Sequence, residues 1–526
     1  MSQSISQSAL RATRPPHLAL SGVDIALLIG FACLGIAFTA FSWRSGTAGF
    51  MADDALYLLM ADRVLTDHPD PVHLHAWEAT HFPPLWPWLL SLFGAGSEHV
   101  ARAHAITSVC FIAGLALHAG WGATLARQWT LPIVVCGALL FLPGMQFFAL
   151  EIWSEFLYMA LTGAALWACA RGHYLAAALI CGLAFLSRSA GIALLGAYAL
   201  FLLWHRPPGF WRYGLVAIAL PAIWVVYNAA EPSQDAYLTM LWRSWHASEP
   251  GSAIRLIGEL VDKAIATTLA LWQGWLHFLS IGPTVVIAAI GIGLVVPAIW
   301  GFIHQLRRVH FDAIYVVLYV AMIYIWSHDA HAQRFLLPLL PIFAIHALIG
   351  FGVGQSSRAL DPHRTGPESA SHRPGVLAAL IVGWFVGFAA CVLPDTYRVF
   401  ERAARSAPSE VAQFTRTRYW LREPSHEDAM GDVAVRAALI SHLRTLPTWV
   451  ARDSCVYSIH PQLTMLYANV VSYPPGPHQG AMCRYHYVMR HAGFDAELLY
   501  AKSRGQVIAE QTMPDGTPLG TLVEYR

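Results

Sequence analysis

The chain has 526 residues, 56% of them hydrophobic and only 12% charged, with a formal net charge of +1. Soluble globular proteins carry about twice that charged fraction, so composition and a mean hydropathy of +0.47 exclude an ordinary water-soluble domain. The near-neutral balance and the lack of a Lys/Arg cluster give no footing for nucleic-acid recognition.

The apolar residues gather in runs of roughly 17–25 residues, the length that crosses a bilayer. The sequence therefore reads as an all-α polytopic membrane protein. A polar start, Met1–Gln7, precedes Arg11 and Arg14, and the first apolar run is Val23–Phe41. That run is too long for the apolar core of a cleaved signal peptide, so it is expected to remain as a span behind a cytoplasmic tail, residues 1–22. Further spans are expected at Val100–Leu125, Leu131–Phe148, Ser154–Ala170, Tyr174–Leu186, Ala190–Trp204 and Tyr213–Ala229. Val285–Ile303, Ala313–Trp326, Phe335–Val353 and Val376–Val392 bring the total to about eleven. Tyr174–Leu186 and Ala313–Trp326 are short for a full crossing and are expected to tilt or break.

Basic residues in short loops mark the cytoplasmic side. Arg127, Arg171, Arg206 with Arg212, Arg307 with Arg308, and Arg358, Arg364 and Arg373 all fall on the side of the N-terminus. The pattern requires that Leu256–Ile281, which carries Glu259, Asp262 and Lys263, lie as an amphipathic helix at the outer interface. Three segments then face outward: the loop 42–99, Glu231–Gly282 and the tail. The expected division is a membrane-embedded domain over 23–393 and an extracytoplasmic domain over 394–526.

Cys33, Cys110, Cys136, Cys169, Cys181 and Cys391 sit in apolar runs as small packing residues. Cys455 and Cys483 lie in the tail and can pair if it faces an oxidising compartment, though spacing alone does not establish the bond. Within the tail, Glu401–Leu446 reads as helical with breaks at Pro408 and Pro424. Ser454–Ile459, Val470–Tyr473, His486–Met489 and Thr521–Tyr525 read as strands between turn signals, and a helix follows His460-Pro461. This pattern predicts a small α/β domain.

Chemistry is expected where charge meets the membrane boundary. Asp53 and Asp54 follow the first span directly, and adjacent carboxylates near lipid call for a functional explanation. One of them is a suitable N-cap for a helix over Ala55–Val64; the other is left for catalysis as a general base. Helical spacing sets Tyr57 one turn from Asp53. Arg188 and Arg334 fall at outer junctions between spans, where their forked donors suit phosphate oxygens; interfacial snorkelling is the structural alternative. Glu151 and Glu155, four apart, are expected on one side of a helix at the outer face, with Glu155 orienting an acceptor or pairing with an arginine. His331 and Tyr57 are further candidates to touch substrate. His73, His75 and His81 offer ligands for a divalent metal together with Asp53 or Asp54, but with 25 histidines in the chain and no recognised ligand spacing, coincidence is the better reading and no metal site is expected.

These residues together resemble the GT-C fold glycosyltransferases. The resemblance rests on the Asp-Asp pair after the first span, the Pro83-Pro84-Leu85-Trp86-Pro87 segment, the Ser187-Arg188-x-x-Gly191 junction and the late Arg334-Phe335-Leu336-Leu337-Pro338 stretch. It covers roughly Phe50–Val353 and is nearest to protein O-mannosyltransferases and lipid A aminoarabinose transferases. It implies inverting transfer of a sugar from a polyprenyl-phosphate donor to a glycan, lipid or protein acceptor. It also implies a bacterial plasma membrane, where the odd number of spans puts the C-terminus outside, and no cofactor beyond the lipid-linked donor, these branches usually working without a metal. The family's base falls on Asp53 or Asp54 and its phosphate contacts on Arg188 and Arg334. Those relatives often carry Lys just before the Pro-Pro pair; here His81 stands nearby and is the candidate replacement. The rival class, a transporter or flippase of lipid-linked glycans, would place ionisable groups mid-span and repeat its halves, which this sequence does not do.

Overall fold

A computed structural model describes residues 20–42, 48, 53–65, 82–149, 151–230, 253–279, 285–325, 332–352, 435, 438–451, 454–473, 483–489, 494–512, 516 and 518–525. The membrane portion begins with α1 (Gly22–Ser42), α2 (Asp53–Leu65), α3 (Leu85–Leu92) and α4 (Val100–Ala126). It continues through α5 (Thr130–Leu139), α6 (Pro143–Ala149), α7 (Glu155–Ala170), α8 (Tyr174–Ser187), α9 (Gly191–His205) and α10 (Phe210–Ala230). After these come α11 (Ala253–Leu279), α12 (Val285–Arg307), α13 (Phe311–Ile325), α14 (Ala332–Leu336) and α15 (Leu340–Gly350).

Among the described residues two helices are alone long and apolar enough to cross a membrane, Gly22–Ala40 and Ser97–Ala126. The number rises to three when Gly293–Arg307 and Phe311–Ile325, bent by 113°, are counted as one span. The expected spans are thus not all single straight helices, and proline explains two of the differences. The run expected over Leu131–Phe148 divides into α5 and α6, because Pro143 lacks an N–H and suits the first position of a new helix. The run expected over Phe335–Val353 divides into α14, a 3-10 turn at Leu337–Leu339 and α15, with Pro338 and Pro341 at the joints. The 113° bend before α13 passes through Val309, whose φ of 53° is unusual for a β-branched residue. The expected span Val376–Val392 lies outside the described residues.

Close helix packing uses small residues. A Cβ on Gly301 would strike the carbonyl of His346, and one on Gly350 that of Pro297, so α12 and α15 touch backbone to backbone. The expected amphipathic segment is α11. Leu271 and Trp275 pack into the membrane core while Val261, Ile265, Leu269 and Trp272 are exposed. Lys263 Nζ donates to the Ile325 carbonyl at 3.0 Å, tying α11 to the end of α13.

The C-terminal residues form a separate five-stranded sheet, β1 (Val456–Ser458), β2 (Ser472–Tyr473), β3 (Tyr485–Met489), β4 (Gly505–Thr512) and β5 (Pro518–Tyr525). Its order is β2-β1-β3-β5-β4; β1 runs parallel to β2 and β3, while β5 is antiparallel to β3 and β4. Helix α16 (Pro461–Ala468) links β1 to β2, and α17 (Phe494–Arg504) precedes β4. Cys455 and Cys483 form a disulfide with Cα atoms 4.8 Å apart. The four expected strands are present. The α17–β4 pair is additional, and β4 escapes a pattern search because this edge strand exposes alternate polar residues with little apolar contrast. Most of the helical tract expected over Glu401–Leu446 lies outside the described residues.

Candidate functional site

Four charged side chains from distant parts of the chain meet at one end of the bundle. Glu155 opens α7, Arg188 follows α8 immediately, Arg334 sits in α14, and Asp53 opens α2. Arg188 Nη1 and Arg334 Nε both donate to Glu155 Oε1. Arg334 Nη1 also donates to Asp53 Oδ2 at 2.5 Å. The result is a line of alternating charge, Arg188–Glu155–Arg334–Asp53. Glu155 is fully buried, whereas the side chain of Asp53 keeps 26% of its exposure. Glu155 Oε2 has no hydrogen-bond partner among the described residues.

Aromatic rings hold the arginines. The Arg334 guanidinium lies 4.3 Å from the Trp153 ring centroid, and that of Arg188 lies 5.6 Å from Phe335. Such stacking suits Arg better than Lys, because the guanidinium is flat and weakly hydrated. Behind Arg188 lies a buried group of three phenols. Tyr158 and Tyr315 share a hydrogen bond of 3.0 Å, and Tyr319 stacks beside Tyr158. Sequence reasoning assigned no part to Trp153, Phe335 or these tyrosines. Trp153 sits between the two glutamates it singled out, but a lone Trp carries no positional signal.

Asp53 and Asp54 both fall inside the first turn of α2, which begins two residues before the helix expected from Ala55. Negative charge in a first turn still suits the helix dipole. Asp54 is fully buried, and its Oδ1 accepts the Ala55 N–H at 2.9 Å. Tyr57 is buried as well. Its hydroxyl hydrogen-bonds Ser154 Oγ at 3.0 Å, and its ring meets Phe82 edge to face. Burial, then the charge of Asp53, push its phenol well above the ordinary value, so Tyr57 keeps its proton.

One expectation needs correction. Glu151 and Glu155 do not share a helix face at the solvent boundary, because Glu151 precedes α7 in a bend and both are fully buried. Glu155 meets two cations instead of water. His81 and His331 lie outside the described residues, as do His73 and His75.

The bundle, the acidic helix after the first span and the trailing α/β unit define the class: the chain has the GT-C fold. Among solved structures it is similar to ArnT from Cupriavidus metallidurans bound to undecaprenyl phosphate. The TM-score is 0.53 at 14% identity, over 94% of this chain and 97% of that one. The apo form of the same protein matches with a TM-score of 0.51. The apo Archaeoglobus fulgidus oligosaccharyltransferase matches with a TM-score of 0.53 at 13% identity, over 94% of this chain and 74% of that one. No protein-family model matches the sequence, and no match is found among curated proteins.

Proposed function

We propose that the chain is an integral membrane glycosyltransferase that moves a sugar from a polyprenyl-phosphate carrier to a glycan, lipid or protein acceptor, with inversion. The observation that carries this reading is the convergence of two guanidinium groups and one partly exposed carboxylate at a single end of an apolar bundle. The acceptor oxygen attacks the anomeric carbon and passes its proton to Asp53; the carbon–oxygen bond to phosphate breaks on the opposite face. The leaving polyprenyl phosphate keeps the bond's electrons, and Arg188 and Arg334 neutralise it. Asp53 is preferred to Asp54 as base because a base must reach its acceptor and Asp54 is fully buried. No cofactor beyond the lipid-linked donor is called for.

Charge balance implies an order of events. Without donor, Arg334 is engaged by Asp53 and Glu155. A donor phosphate competes for that guanidinium, and its arrival releases Asp53 to act as a base. The base is thus freed only when a donor is present. The likeness to ArnT, whose structure holds undecaprenyl phosphate, favours a polyprenyl phosphate as the anion.

The same reading takes the membrane domain as 23–393 with about eleven crossings, several broken, and the tail as outward-facing in a bacterial plasma membrane. Arg127, Arg171, Arg206, Arg307 and Arg308 at the other helix ends support a cytoplasmic opposite face, and the tail disulfide supports an oxidising exterior. The test supplies purified protein with a panel of polyprenyl-phosphate pentoses and hexoses plus envelope acceptors. Wild-type protein should transfer one of them, and Asp53→Asn should lose at least about 100-fold in rate while carrier binding survives. Full activity in that variant would sink the assignment of the base.

A further inference from the structure

Besides the ion pair of Asp53 with Arg334, further hydrogen bonds among the described residues hold helix α2. Tyr57 bonds to Ser154 of the bundle, and Asp62 accepts the Ser97 N–H at 3.1 and 3.2 Å. Another hold comes from the C-terminal domain. Tyr467, on α16, donates its hydroxyl to the Ala48 carbonyl at 2.7 Å and accepts the Ala48 N–H at 3.0 Å. One phenol thereby satisfies both backbone groups of a fully buried residue that stands five positions before Asp53.

The contact is supported from both sides. Leu466, beside Tyr467, packs into the hydrophobic core of the membrane bundle, and α16 lies against α2. The Arg444 guanidinium sits 5.7 Å from the Tyr467 ring centroid, which fixes the ring from the tail side. A backbone residue gripped at donor and acceptor together cannot rotate without losing a hydrogen bond.

We propose that Tyr467 is a positioning residue: by clamping Ala48 it sets where the chain enters α2, and so places the Asp53 carboxylate against Arg334. The C-terminal domain then serves the active end of the membrane domain directly. This inference rests on the proposed role of Asp53, but its physical part does not.

The test compares Tyr467→Phe, which keeps the ring and removes both hydrogen bonds, with wild-type full-length protein in detergent. Hydrogen exchange of the first-turn amides of α2 should quicken by about tenfold, the size of roughly one net hydrogen bond. Exchange in α4 and α7 should not change. In the transfer assay kcat should fall by roughly ten- to a hundredfold, as misplacement of a reacting group does, while the donor KM stays within about twofold. Arg444→Gln, which keeps the phenol and removes the cation that fixes its ring, should give a smaller change of the same kind and serves if Tyr467→Phe does not fold. Unchanged exchange in α2 overturns the clamp. Faster exchange with unchanged kcat overturns its role in placing Asp53. If wild-type protein transfers no sugar, the enzyme reading fails while the exchange result still decides the clamp.

Discussion

Glu155→Gln isolates the centre of the charge line. Glu155 is fully buried and its Oε1 receives hydrogen bonds from both Arg188 and Arg334, whose side chains retain 14% and 12% exposure. Glutamine keeps the shape and removes the charge, leaving two guanidiniums opposite Asp53 alone. Breaking a buried ion pair from one side costs about 3–5 kcal/mol. The lower figure applies because Arg334 keeps Asp53 and both arginines keep some solvent. With an unfolding entropy of about 2.1 cal/mol/K per residue, 526 residues give roughly 1.1 kcal/mol/K. A loss of about 3 kcal/mol then lowers the melting temperature by about 3 °C. The assay is thermal unfolding of the detergent-solubilised chain, completed by Arg188→Gln and the double variant. The double variant should be more stable than the sum of the singles predicts, with a coupling of about 1–3 kcal/mol. A Glu155→Gln melt matching wild type, or strict additivity with Arg188→Gln, would falsify the claim that this carboxylate holds the arginines.

Other consequences follow from single contacts. Arg334→Lys keeps the charge but loses the fork that reaches Asp53 and Glu155 together and the stack on Trp153. The donor KM should rise by roughly tenfold or more in a transfer titration. Gly301→Ala drives a methyl into the His346 carbonyl, so α12 and α15 must separate; the melt should reveal a loss of about 1–3 kcal/mol with no direct effect on the charged site. His442 is buried beside Tyr487, 3.1 Å from its hydroxyl, and burial holds its imidazole below the ordinary value. The folded tail then resists a proton that the unfolded chain accepts. Its stabilisation is complete above about pH 6.5 and is lost as pH falls through the folded value. His442→Gln should therefore shrink the drop in melting temperature between about pH 7.5 and pH 5 relative to wild type.

The membrane character, the α/β tail and the ends of α1, α4, α7 and α9 were legible because each rests on a local signal: apolar run length, strand alternation or a turn sequence. The breaks in α5–α6 and α14–α15 were written in Pro143, Pro338 and Pro341. Reading the runs as continuous gave hydropathy more weight than the missing N–H groups. The site residues Asp53, Glu155, Arg188 and Arg334 stood out for one reason, charge at a boundary where charge is expensive. That Glu155 pairs with an arginine was among the expectations, but which arginine was not legible, because Glu155 and Arg334 are 179 positions apart and nothing in either neighbourhood names the other. The Tyr467–Ala48 contact, across 419 positions, had no sequence signal at all.

That division has a physical basis. A sequence displays the cost of each group separately, and burial of a lone charge is a visible cost. It does not display the partner that offsets it. Two guanidiniums and two carboxylates at the end of α7 cancel in sum, so the resting site is neutral and can sit in an apolar bundle without an external ion. That neutrality also makes the site responsive. The donor phosphate proposed above would add negative charge to a balanced set, and the group best able to yield is Asp53, the more exposed of the two carboxylates and the one joined to a single arginine. Glu155, bound by two, stays in place. Under the proposed reaction, the same arrangement that makes the cluster stable in the fold would select which carboxylate is released for proton transfer.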